Sequence, residues 1–247
     1  MALLHSFEKS GNTLFKYRGQ IPVILFVLVV PVMYFTDYSI FSRNDQMFLT
    51  VISILLSVFG FIIRAISIGT TPSGTSGRNT QEQVADSLNR TGIYSIIRHP
   101  LYLGNYLMWI GIVAFTFNIY FVLLVSLAFW LYYERIMFAE ERFLERKFGN
   151  EYMDWSKRVP AFIPSFKIYV SGKIPFSMKT VFRREYSGVL ATVLSFAFVD
   201  HLRYYFISGT IDPWRLSTYM LIATLLITII LRSLKHYTKV LNEEGRS

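Results

Sequence analysis

Apolar residues in this chain fall in long uncharged runs separated by polar stretches, and six of these runs approach the ~20 residues that carry an α-helix across a hydrocarbon core. They cover 20–38, 47–68, 101–117, 119–137, 187–206 and 215–234, and the second and sixth are the clearest. The first contains Pro22 and Pro31, tolerable in lipid where neighbouring helices satisfy the freed backbone groups. No small-residue cleavage site follows it, so it is expected to be an anchor rather than a removable signal. The fifth loses its uncharged character after Val199, at "DHLRYY", and is expected to tilt or lie partly in the interface. The third and fourth meet at Asn118 with almost no loop, which predicts a tight antiparallel hairpin. The expected fold class is therefore all-α: a polytopic membrane helical bundle of about six transmembrane helices, with a cytoplasmic amphipathic helix.

Composition agrees with that pattern. Of 247 residues, 53% are hydrophobic and 17% charged, so the runs are not diluted as in a disordered chain. The formal net charge of +9 would suit nucleic acid, but the basic residues lie between the apolar runs, where the positive-inside rule places them. Of the 25 lysines and arginines, all but Arg43, Arg203 and Arg215 fall on one side of a six-span topology. That side is expected to be cytoplasmic and to hold both termini, giving a multi-pass integral membrane protein. There is no cysteine, which excludes disulfides, thiolate metal sites and a cysteine nucleophile. His5, His201 and His236 are scattered without ligand spacing, so no metal is expected.

Two polar segments lie on the expected cytoplasmic side. "GTTPSGTSGRNTQEQVADSLNRTG" (69–92) reads as a loop with one short helix near 81–88, and its "TSGRNT" as a flexible stretch with phosphate-cradling as the lesser reading. After the fourth span, Leu144, Phe148, Tyr152 and Trp155 recur at helical spacing opposite a charged face, the pattern of a helix in the headgroup layer. Pro160 and Pro164 stop it. "SGKIPFSMKTVFRREYSG" (171–188), basic with interleaved aromatics, is expected on anionic headgroups. Asp200, His201 and Arg203 read as an interfacial cluster on the opposite side. The organisation expected is an N-terminal segment and first span (1–46), a core (47–165), and a basic linker with a two-helix extension (166–247).

The chemistry concentrates in "SIIRHPLYLGNYLMWIG" (95–111). Arg98 and His99 open the third span, Tyr102 follows about one turn on, and Gly104 lacks a side chain where a backbone could approach a ligand. Pro100 at a helix start leaves first-turn N–H groups free beside the cations, so this is a pocket for an anionic group. The fourth span ends in Glu134, Glu140 and Glu141, and one of the adjacent pair can turn inward. A cationic helix start facing an acidic helix end suits a zwitterion with an amino acid moiety, such as S-adenosylmethionine; a plain Arg98–Glu141 ion pair holding two helices is the alternative.

"RHPLYLG" (98–104) followed by "EERFLERKFGNEYMDWSKRVPAFIP" (140–164) across a two-helix hairpin resembles the membrane methyltransferases that include isoprenylcysteine carboxyl methyltransferase and the phospholipid methyltransferases. The resemblance covers about residues 60–165 and extends to "GIYSIIRHP" and to Arg64 on the preceding helix. It implies a S-adenosylmethionine site on the cytoplasmic side, with His99, Tyr102, Gly104 and one or both of Glu140 and Glu141 around the cofactor. The chain departs from the pattern in its longer, more polar loop at "TSGRNT" and in the two spans after the core, which leaves the acceptor open.

The mechanism expected is direct displacement on a lipid or lipid-linked acceptor entering from the membrane, with Arg98 and Glu141 as catalytic candidates and Arg64 and Arg78 as substrate-binding ones. A carboxylate or phosphate oxygen needs no general base and is favoured; an amine would need one, and Glu141 is nearest. The rival readings are a membrane lipid or sterol reductase using NADPH, which shares a similar helical core, and a non-catalytic transporter or scaffold.

Overall fold

The computed structural model describes residues 2–75 and 83–246. Eight α-helices occur among them: α1 (Ala2–Tyr17), α2 (Ile21–Tyr34), α3 (Arg43–Gly69), α4 (Pro100–Ala114), α5 (Ile119–Phe148), α6 (Asn150–Ser156), α7 (Met178–Ser208) and α8 (Leu216–Tyr237). No strand occurs among the described residues, so the all-α expectation holds.

Each apolar run lies within or largely overlaps a helix, but the helices differ in reach. The helices α3, α5 and α8 are long and apolar enough to cross a membrane. The apolar α2 and α4 have 14 and 15 residues, about 21–23 Å at ~1.5 Å per residue against a core of ~30 Å. The 31 residues of α7 include Arg183, Arg184, Glu185, Asp200 and Arg203, and it does not qualify as a span by composition. The weakness expected of the fifth run is therefore its charge, not its length. Leu225, Ile227, Ile229 and Ile230 of α8 stand exposed. Such a face is at home in lipid, not in water.

Local chemistry sets the helix ends. Ser42 and Asp45 form a reciprocal capping box at α3. The expected hairpin is present: Asn118 accepts from the Phe121 N–H at 3.0 Å and donates to Thr36 at 2.9 Å, which ties the turn to the end of α2. Close approach of α3 and α4 rests on two glycines. A methyl on Gly60 would lie 2.5 Å from the Gly104 carbonyl, and one on Gly104 2.5 Å from Cγ of Arg64.

Several expectations change. The N-terminal segment forms α1, which packs on α5: Tyr132 donates to the Leu14 carbonyl at 2.7 Å and Glu8 pairs with Arg146 at 2.5 Å. The spacing of Leu4, Phe7, Leu14 and Phe15 carries that signal. The amphipathic helix breaks at Gly149, whose φ of 52° ends α5 and starts α6. Tyr152, Trp155 and Val159 then bury against Leu88, Leu144 and Ile168, so the apolar stripe faces protein and not headgroups. Residues 83–88 are not helical; 81 and 82, with most of "TSGRNT", lie outside the described residues. Nor is 171–188 wholly a surface strip: Ser177 caps α7, and Thr180, Val181, Arg184 and Glu185 turn inward and are buried.

At the other end of the bundle the expected interfacial cluster is structural. Arg215 holds Asp200 through bonds of 2.7 and 2.9 Å, His201 meets Thr218 at 2.7 Å, and Arg203 donates to the Phe115 carbonyl at 2.9 Å. These contacts fasten α7 to α8 and to the α4–α5 turn.

Candidate functional site

The two halves of the motif are brought together by backbone as well as side chains. After α6 the prolines hold the chain extended, and it runs back beside residues 96–99. Arg98 N–H donates to Pro160 O at 2.9 Å, His99 N–H to Ala161 O at 3.1 Å and Ser165 N–H to Ile96 O at 2.9 Å. This clamp fixes Arg98 and His99 just before Pro100, the first residue of α4.

His99 is then held between the glutamates. Its Nε2 lies 2.8 Å from Glu141 Oε1 and its Nδ1 3.5 Å from Glu140 Oε2, while Arg98 Nη1 lies 3.4 Å from Glu141 Oε2. Tyr102 stacks beside the His99 ring, with centroids 5.6 Å apart. Burial pushes the imidazole pKa down, but the hydrogen bonds and charges of Glu140 and Glu141 outweigh it, so His99 stays protonated above its ordinary value.

These groups wall a cavity of about 260 Å3, of the order of a small-ligand site. Arg98, His99, Tyr102 and Glu140 line it; Glu141 does not. Adjacent on one helix, the two carboxylates diverge: Glu140 faces the cavity and Glu141 stands behind, bracing His99 and Arg98. Glu134 is exposed and takes no part. Gly104 is absent from the lining. Its missing side chain admits α3, so its expected approach to a ligand is replaced by helix packing.

Arg64 lines the cavity but already has partners. It donates through Nε and Nη2 to Glu185 at 2.8 and 2.7 Å and through Nη1 to Asn105 at 2.5 Å, and Asn105 reaches Tyr133 at 3.3 Å. Arg78 lies outside the described residues. Sequence reasoning missed Arg18, Asn105, Arg184 and Glu185, all of which line the cavity. Asn105 follows the motif on α4 but carries no charge to mark it, whereas Arg18, just after α1, and Arg184 and Glu185 of α7 reach the site only through the fold. No group of three or more His, Asp or Glu side chains placed to hold a metal occurs among the described residues.

Fold and site together define a helical membrane protein with a charged small-molecule pocket at one end of its bundle. Residues 47–151 match the family model described as phospholipid methyltransferase. The nickel-cobalt-cadmium resistance protein NccN of Alcaligenes xylosoxydans is 38% identical over 96 residues, 39% of this chain and 42% of that protein. The cobalt-zinc-cadmium resistance protein CzcN of Cupriavidus metallidurans is 30% identical over 128 residues, 52% of this chain and 56% of that protein. The protein-S-isoprenylcysteine O-methyltransferase of Schizosaccharomyces pombe is 29% identical over 114 residues, 44% of this chain and 48% of that protein. The chain thus spans about half the length of these relatives. No solved structure matches.

Proposed function

We propose that the chain is a S-adenosylmethionine-dependent methyltransferase acting on a lipid or lipid-linked acceptor at the cytoplasmic face of the membrane. The observation that carries this reading is His99, held between Glu140 and Glu141 beside Arg98 in the wall of the cavity. The residues present fit such a donor. Arg98 keeps a buried Nε–H without a hydrogen-bond partner, a state that costs ~1–3 kcal/mol unless an acceptor arrives; a ligand carboxylate supplies one. Glu140 is placed for the donor's ammonium or ribose hydroxyls, and the aromatic rings of Tyr102, Phe143 and Trp155 line the same space for an adenine.

When bound, the donor supplies a methyl on a positively charged sulfur, which keeps the C–S electron pair as the acceptor forms its new bond to carbon. The protein's part is to align the two and exclude water. Glu141 acts as a positioning residue, fixing His99 and Arg98. Four arginines (Arg18, Arg64, Arg98, Arg184) face two glutamates (Glu140, Glu185) across the lining. That positive excess favours an acceptor that reacts through a carboxylate or phosphate oxygen, and such an oxygen needs no base. The basic bias of the loops supports cytoplasmic termini, with 47–165 as the catalytic core between the N-terminal segment and the 166–247 extension. The Schizosaccharomyces pombe relative is named for isoprenylcysteine; here a lipid-linked carboxylate is one member of the acceptor class.

Calorimetric titration of the detergent-purified protein with S-adenosylhomocysteine, followed by incubation of membranes with a methyl-labelled donor, tests this. Saturable binding and label in the lipid extract are expected. A wild-type protein that neither binds the ligand nor transfers label overturns the reading.

A further inference from the structure

Beyond α8 the chain turns back onto the ends of α3 and α7. Asn242 N–H donates to the Lys239 carbonyl at 2.9 Å and Arg246 N–H to that of Glu243 at 3.1 Å, two tight turns around the buried Leu241. The Arg246 guanidinium reaches the last residue of α3: Nη1 donates to the Gly69 carbonyl at 2.8 Å, and Nη2 donates to the Pro175 carbonyl. Carbonyls at a helix C-terminus lack partners within the helix and form its negative end. A guanidinium is the matching group. Two further contacts widen the attachment. Ser73 N–H donates to the Gly245 carbonyl at 3.0 Å, and the hydroxyl of Ser177, the cap of α7, donates to Glu243.

Residues 239–246 do not line the charged cavity, but the pieces they hold do so a few positions further on. Next to Ser73, the Gly74 carbonyl accepts from Asp86 N–H at 2.9 Å, and Thr75, Ala85 and Leu88 form part of the cavity wall. Gln83, in the same wall, donates to Asn12 of α1 at 3.3 Å. On α7, Arg184 and Glu185 stand two turns past the Ser177 cap and line the same space. Arg246 therefore sits where the end of α3, residues 70–75 and the start of α7 converge. Both α7 and residues 239–246 lie outside the matched segment 47–151.

We infer that Arg246 is a positioning residue for the methyl donor. By holding the carbonyls of Gly69 and Pro175 it fixes residues 73–75 and, through Asp86, residues 84–89 as one wall of the pocket. Donor affinity then depends on a side chain that never meets the donor. The transfer step needs nothing from this turn, so the effect falls on donor binding. That the occupant is a methyl donor rests on the methyl-transfer reading; that Arg246 orders this wall does not.

The test compares the full chain in detergent with Arg246→Ala, Arg246→Lys and Glu244→Gln, the last an exposed change in the same turn. In Arg246→Ala, amide hydrogen exchange is expected to quicken at least tenfold at Ser73 and Asp86 while the amides of α5 keep their wild-type rates. S-adenosylhomocysteine affinity by calorimetry should fall at least fivefold, and the KM for the donor should rise in proportion with kcat unchanged on a lipid-extract acceptor. Arg246→Lys, which keeps the charge but not both bonds, should lie between. Glu244→Gln should match wild type in every readout. Unchanged exchange at Ser73 and Asp86 overturns the inference, as does quickened exchange with unchanged affinity, or a fall in kcat with KM unchanged. Exchange that rises equally in α5 also overturns it, because Arg246 would then support the bundle as a whole. A wild type that binds no donor analogue, while Arg246→Ala still loosens Ser73 and Asp86 alone, defeats the methyl-transfer reading and leaves the anchoring of the wall standing.

Discussion

Arg64 of α3 and Glu185 of α7 are 121 positions apart and meet in two hydrogen bonds of 2.8 and 2.7 Å. Glu185 is 2% exposed and Arg64 19%, so each depends on the other for charge compensation. The pair ties α3, within the matched segment 47–151, to α7 at the edge of the cavity.

Removing one partner should therefore cost more than removing both. Glu185→Leu alone is expected to lower stability by ~3 kcal/mol or more, because a buried guanidinium is left uncompensated. Arg64→Met with Glu185→Leu should recover a large part of that loss. Thermal unfolding in detergent of the two single variants and the double variant checks this; additive losses would show that the two side chains are not coupled.

Gly104 predicts a different defect. An added methyl would meet Arg64 Cγ at 2.5 Å and the Gly60 carbonyl at 2.8 Å. The side chain can shift, but the backbone carbonyl cannot without moving a helix. Gly104→Ala should destabilise by ~1–3 kcal/mol and weaken the site indirectly through Arg64. Gly19→Ala, where the added atom meets nothing within 4 Å, is the control in the same melting experiment.

Glu141 should matter for binding without touching the ligand. Glu141→Gln removes the charge facing His99 and Arg98 while keeping the volume, and donor-analogue affinity is expected to fall tenfold or more. Glu134→Gln, on the exposed side of the same helix, should leave it unchanged. Calorimetry separates the two; equal affinities in both variants would remove Glu141 from the site.

His99 makes stability depend on pH. Its folded pKa is raised, because Glu140 and Glu141 outweigh burial. The stabilisation from its proton is therefore fully present below ~6.5, the ordinary histidine value, and is lost as pH rises through the raised folded value. Melting temperatures of wild type and His99→Gln should converge as pH increases above neutrality. A gap that widens with pH would mean that the imidazole is neutral in the folded protein.

The reach of the sequence can be read from particular residues. Arg98, His99, Tyr102 and Glu140 were legible because a helix start and a helix end carry them in short motifs, and the hairpin at Asn118 forces those ends to meet. Which glutamate faces the cavity was not legible: adjacent positions differ by about 100° around a helix, and only the placement of α4 against α5 selects Glu140. Gly104 was ambiguous for a related reason. A missing side chain permits close approach by a ligand or by a helix, and the spacing of "RHPLYLG" is the same in both cases.

The chain alone determined the helices, because long apolar runs can satisfy their backbone in lipid only by hydrogen bonding within themselves. It also determined the charged motif, because that motif is local. Tertiary structure decided what the motif faces. Glu185 from α7, Phe15 from α1, Arg18 just after it and an apolar chamber beyond Arg64 arrive from elements far off in sequence, and their meeting depends on how helices pack, a property that no single segment carries.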